Sequence, residues 1–103
     1  MTSFDEYQEF ARSTKIYQND CKVVYPMLGL CGEVGEVAEK IKKHMRDGKS
    51  MVGVGLELGD VLWYISALAD DLDITLDEIA QTNMNKLKSR MRRDKIRGDG
   101  DHR

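Results

Sequence analysis

Glu33 and Glu36 in the segment GEVGE, and Glu57 and Asp60 in ELGD, form two pairs of carboxylates, each with its members three residues apart. On a helix that spacing puts both members about one turn apart on the same face. Two such pairs facing one another close a cage of oxygen ligands around a hard cation such as Mg²⁺, which keeps waters and substrate phosphates in its shell. The chemistry implied is phosphate processing.

The second pair has the stronger physical case. At about 100° per residue, Leu58, Val61, Leu62, Ile65, Leu68, Ala69 and Leu72 occupy one broad side of a helix, while Leu56, Trp63 and Ala67 occupy the opposite side. Glu57, Asp60, Tyr64 and Asp71 are left in a narrow stripe between or beside apolar surfaces. Burying acids there costs several kcal/mol each unless a cation or donors compensate. The positive helix N-terminus contributes under about 1 kcal/mol, too little to justify two buried charges.

The first pair reads more simply as surface charge, because Glu36 and Lys40 have ion-pair spacing and Lys43 lies on the same polar side. Gly29, Gly32 and Gly35 nonetheless recur through this helix, each costing about 1 kcal/mol relative to alanine. Either close helix packing or an approaching metal or phosphate accounts for that space. On a later helix Asn83, Lys86 and Arg90 share a face with Ile79 and form a donor set suited to phosphate oxygens. Phe4, Tyr7, Trp63 and Tyr64 are the aromatic candidates for a binding pocket.

The elements that must position these groups are helical. One proline among 103 residues, few β-branched clusters and long stretches of helical period define an all-α chain. Ser3 with Glu6 forms a capping box, and a helix follows from about 4 to 17. Pro26 suits the first turn of a second helix running to about Met45, with a stripe of Leu30, Val34, Val37, Ile41 and Met45. The segment 46–55 reads as a loop, a third helix spans about 56–72, and Thr75 with Glu78 caps a fourth that frays after Arg92. Residues 1–97 are read as one helical domain and 98–103 as a polar tail.

Several function classes lose support. Sixteen basic and eighteen acidic side chains give a net charge of −2, unlike a polyanion binder or an acidic disordered chain. Cys21 and Cys31 show no disulfide ladder and no apolar run reaches signal or membrane-span length, so a reduced cytoplasmic protein is expected. Gly48-Lys49-Ser50 imitates the end of a phosphate-binding loop, but Lys43 stands where that motif needs glycine. His44 and His102 have no second ligand at zinc spacing.

With its flanking residues, the acid pattern resembles the MazG-like family of all-α nucleoside triphosphate pyrophosphohydrolases, in particular its small single-domain members. The family signature is E-x-x-E, a spacer, then E-x-x-D; here Glu33 and Glu36 are followed, after twenty residues, by Glu57 and Asp60. GLCGEVGEVAE, LGDVLWY and the ending GDGDHR are similar too, and the likeness extends back to SFDEYQ. It implies a bundle of about four helices completed by association as a homodimer or dimer of dimers. It implies Mg²⁺, with Mn²⁺ as substitute, held by Glu33, Glu36, Glu57 and Asp60, the catalytic acids. The implied reaction cleaves an NTP or dNTP between the α and β phosphates to a monophosphate and pyrophosphate, as in nucleotide-pool house-cleaning.

By the same resemblance Tyr64, Asn83 and Lys86 face the nucleotide; Trp63 and Arg90 are added from their residue types and positions. Two other classes remain in view. One is a non-enzymatic helical interaction module whose acids pair with Lys40, Lys43 or a partner. The other is a nucleic-acid binder using the segment 86–97, where seven of twelve residues are basic.

Overall fold

Four α-helices account for nearly all regular structure in the computed structural model, which describes residues 1–93. They are α1 (Phe4–Ser13), α2 (Val24–Asp47), α3 (Val54–Asp71) and α4 (Leu76–Arg92), with one 3₁₀ turn at Asn19–Cys21. No strand occurs among the described residues. The expected tail at 98–103 lies outside them, as does the end of the basic stretch.

Both expected N-caps form, with the N-cap hydroxyl bond of each capping box in place. Ser3 Oγ accepts the Glu6 N–H at 3.2 Å and Thr75 Oγ1 accepts the Glu78 N–H at 3.0 Å, each satisfying a donor that the first helical turn cannot. Pro26 is the third residue of α2, where its missing N–H costs nothing. Gly48 closes α2 in the left-handed conformation (φ +70°), its N–H bonding to the His44 carbonyl at 3.0 Å.

Helix α1 stops four residues short of the expected position, and the cause is tertiary. Lys15 and Tyr17 leave the helical path to reach the C-terminal end of α3. There Lys15 Nζ contacts Asp70 Oδ2 at 2.5 Å and Asp71 Oδ1 at 2.8 Å. The Tyr17 hydroxyl and the Val23 N–H both donate to Asp71 Oδ2, at 2.8 and 2.9 Å. Val23, held by that bond, sits at φ +70°, an uncommon conformation for a β-branched residue. Asp71, expected in the stripe of site acids, thus anchors the α1–α2 connection.

Packing is densest between α2 and α3, while α1 lies across α3 and also meets α4. Ala11 of α1 and Ala67 and Ala69 of α3 are buried. Gln8, also buried, donates from Nε2 to the Ile74 carbonyl and accepts the Leu76 N–H at Oε1, both at 2.9 Å. This polar side chain staples α1 to the α3–α4 turn with its bonds satisfied.

Much of the expected core is open in the single chain. Leu30 and Val37 of the α2 stripe are half-buried, but Val34, Ile41 and Met45 are exposed, Met45 to 81%. On α3, Leu56 is 80% and Leu58 52% exposed, so the helix is covered on fewer sides than its apolar residues suggest. Ile79, Met84, Leu87 and Met91 on α4 are exposed as well.

Candidate metal centre

Three contacts set the register of α2 against α3: Gly29 against Tyr64, Glu33 against Asp60 and Glu57, and Lys40 against Glu57. The residue numbers run in opposite senses, so the helices are antiparallel and their acids meet at mid-groove. Glu33, Glu57 and Asp60 each offer an oxygen, and these oxygens lie within 4.8 Å of one another. Glu33 and Glu57 are partly buried and Asp60 is exposed.

The cluster is electrostatically strained on its own. Burial raises the Glu33 carboxyl above the usual carboxylate range, and the charges of Asp60, Glu57 and Glu36 push it further up. A hydrogen bond with Glu57 favours the protonated form as well. Among the described residues the cluster has an ion pair with Lys40, whose Nζ stands 4.0 Å from Glu57 Oε1. Three oxygen donors with excess negative charge and one distant ammonium fit a hard divalent cation.

The four predicted acids are therefore not equivalent. Glu36 is exposed and outside the three-acid group, although its charge reaches Glu33. Its expected partner Lys40 turns to Glu57, while Lys42 and Lys43 pair with Glu39 at 3.0 and 3.9 Å. Asp60, expected between apolar surfaces, is open to solvent, as is Leu56 one turn before it.

Tyr64 borders the cluster. Burial raises its phenol, followed by the Tyr25 and Glu33 charges, a hydrogen bond to Tyr25 and the Asp60 charge. Tyr25 in turn stacks on Tyr17, with ring centroids 4.8 Å apart. Tyr7 of α1 also approaches, its phenol raised by burial and then by Asp60. Tyr25 and Tyr17 were not among the aromatic candidates; only their contacts in space single them out.

Trp63 meets Tyr64 edge-on at 5.1 Å and donates its Nε1–H to Thr14 Oγ1 at 2.7 Å, so its polar edge is committed to α1. Asn83 and Lys86 line a different cleft with Ile74, Glu78, Ile79 and Thr82, bordered by no acid of the cluster. Arg90 is buried, 4% exposed. Lys86 is half-buried, whereas Lys88, Arg92 and Arg93 of the same basic stretch are exposed.

Of the three glycines in α2, Gly29 alone has a spatial reason among the described residues. A Cβ there would lie 2.1 Å from Tyr64 Cε1, whereas at Gly32 and Gly35 it would meet nothing within 4 Å.

An all-helical domain whose longest helices oppose acids at mid-groove is the class defined by this geometry. Residues 25–93 match the MazG nucleotide pyrophosphohydrolase domain, and the chain belongs to that family. It is 42% identical over 111 aligned positions to the Gene 37 protein of Mycobacterium phage L5, covering 96% of this chain and 97% of the relative. Over 72 positions it is 40% identical to the uncharacterized protein YpjD of Bacillus subtilis (strain 168), covering 62% of each. No solved structure matches the chain. No described helix is long and apolar enough to cross a membrane.

Proposed function

We propose that the chain is a Mg²⁺-dependent pyrophosphohydrolase that cleaves nucleoside or deoxynucleoside triphosphates between the α and β phosphates, releasing a monophosphate and pyrophosphate. The observation that carries this reading is the meeting of Glu33, Glu57 and Asp60 within 4.8 Å on facing helices. Membership of a nucleotide pyrophosphohydrolase family supports the same class of reaction.

Glu33, Glu57 and Asp60 hold the cation in this reading. Glu36, one turn along the same helix, completes the set by rotation of its exposed side chain. A divalent cation held by these acids would supply polarisation of the phosphate oxygens and a lowered pKa for a water, which as hydroxide would attack phosphorus. The acids orient that water and accept its proton, and Tyr64 shields one end of the cluster from solvent. Trp63 forms the wall behind Tyr64; Asn83 and Lys86, which line a separate cleft, and the buried Arg90 take no part in this reading. Mn²⁺ substitutes for Mg²⁺, since both take oxygen ligands.

A homodimer or dimer of dimers accompanies this function. Val34, Ile41 and Met45 on α2 and Met84 and Met91 on α4 form apolar surfaces that a second copy would cover. We place the protein in the cytoplasm, removing unwanted nucleotides from the pool.

The test is incubation of the purified protein with each common NTP and dNTP and Mg²⁺, followed by product analysis. Pyrophosphate and monophosphate are expected. Inorganic phosphate, or no turnover with any substrate, would refute the assignment.

A further inference from the structure

Lys40, Lys43, Lys49 and Ser50 line one cleft, on the loop side of the acids. Lys40 and Lys43 come from the last turns of α2, and Lys49 and Ser50 from the connection to α3. That connection is pinned: His44 Nδ1–H donates to the Lys49 carbonyl at 2.6 Å, and Ser50 Oγ accepts the Val52 N–H at 2.9 Å. Lys40 links the cleft to the acids through Glu57 at 4.0 Å. Lys43 has Glu39 at 3.9 Å, and among the described residues Lys49 pairs with no carboxylate. Three lysines thus line one cleft on a pinned scaffold, with Glu57 and Glu39 at 4.0 and 3.9 Å from two of them, a donor set for a multiply charged anion.

The antiparallel register gives the groove a direction. From one end to the other it presents Tyr25 and Tyr64, then Glu33 and Asp60, then Glu57 and Lys40, then Lys43 with Lys49. Aromatic surface lies on one side of the acids and positive charge on the other. We propose that this lysine cleft is the subsite for the β and γ phosphates, so that the leaving pyrophosphate departs toward the α2–α3 loop and the nucleoside lies toward Tyr64. The inference rests on the pyrophosphohydrolase reading and adds to it the polarity of the bound substrate and the residues that receive the leaving group.

The test measures binding of inorganic pyrophosphate, with Mg²⁺ present, to the full chain and to a Lys43→Gln/Lys49→Gln variant. The expected result is about a tenfold rise in Kd, with the Mg²⁺-induced rise in melting temperature unchanged and binding by Lys43→Arg/Lys49→Arg within about twofold of the native chain. Unaltered pyrophosphate affinity in the glutamine variant would overturn the proposal. So would absence of pyrophosphate binding in the native chain, or equal loss of the Mg²⁺ effect, which would mark a general change of potential.

Product analysis of the native chain separates the two ideas. Turnover to pyrophosphate with lysine-independent pyrophosphate binding removes this subsite and leaves the reaction standing. Lysine-dependent binding without turnover keeps the anion site and removes the reaction.

Discussion

The Tyr64 ring lies directly against the backbone of Gly29, close enough that a methyl group there would fall 2.1 Å from Cε1 and 2.4 Å from Cζ. The contact fixes Tyr64 beside Glu33 and makes the glycine a part of the groove wall. Gly29→Ala is expected to displace the ring, at an overpacking cost of about 1–3 kcal/mol that exceeds the gain of about 1 kcal/mol in helix propensity. Gly32→Ala, with nothing within 4 Å, is expected to stabilise by about 0.5–1 kcal/mol. Thermal melts of the two variants check this opposition, and a destabilised Gly32→Ala would reveal an apposed surface in the assembled protein.

The acid cluster predicts a second pair of effects. Without a divalent cation, Glu33→Gln relieves the repulsion from Asp60, Glu57 and Glu36 and should raise the melting temperature. With millimolar Mg²⁺ or Mn²⁺ the native chain should gain stability by mass action, and Glu57→Gln/Asp60→Asn should gain none. The double variant is also expected to lose turnover while remaining helical by circular dichroism. An equal cation response in both proteins would remove Glu57 and Asp60 from the centre.

The Lys15 network sets a pH window for stability. Burial pushes Asp70 and Asp71 up, but hydrogen bonds from Lys15, helped by Arg12 at Asp70 and by Val23 and Tyr17 at Asp71, bring both below the usual carboxylate range. A lowered folded value means stability that is complete above about pH 4, the unfolded carboxylate value, and lost as pH falls through the folded one. Lys15 moves the other way. Burial lowers it, and its bonds to Asp70 and Asp71 raise it on balance. Burial and the bond to Asp71 push Tyr17 up to about 12. Those contributions are complete below about pH 10 and disappear as pH rises through the folded values.

Denaturant melts across pH should show both limbs. Asp71→Asn should flatten the acid limb and cost about 2–4 kcal/mol at neutral pH, because the Asp71 side chain is fully covered and serves three donors. A variant as stable as the native chain would contradict the anchoring role.

Self-association is checked by size. Sedimentation or light scattering should give a multiple of the 11.8 kDa chain, and Met45→Glu, on the exposed α2 stripe, should shift it toward the single-chain mass. A native chain that sediments as a monomer at micromolar concentration would rule out the dimer.

The helices were legible because their signals are local. Ser3 with Glu6 and Thr75 with Glu78 act over one turn, and Pro26 and Gly48 mark ends by their own backbone preferences. What was not legible depends on where a neighbour lies. Periodicity puts Glu33 and Glu36 on one face, but only the approach of α3 decides that Glu33 joins Asp60 while Glu36 stays exposed. Asp71 shares a stripe with Glu57 on paper, yet the turn after α1 claims it. Gln8 looks like a surface residue of an amphipathic helix and is buried because the Ile74–Leu76 turn offers both an acceptor and a donor.

The position of the acids within one helical hairpin bears on how the molecule folds. Glu33, Glu57 and Asp60 are 24 and 27 positions apart, joined through a single short loop, so little chain must be closed to bring them together. Contacts of such low sequence separation form early and fast, whereas the Gln8 staple spans 66 and 68 positions and must wait for the ends of the chain to meet. The acid cluster is thus a local property of the α2–α3 hairpin, and its low sequence separation favours its forming before the Gln8 staple.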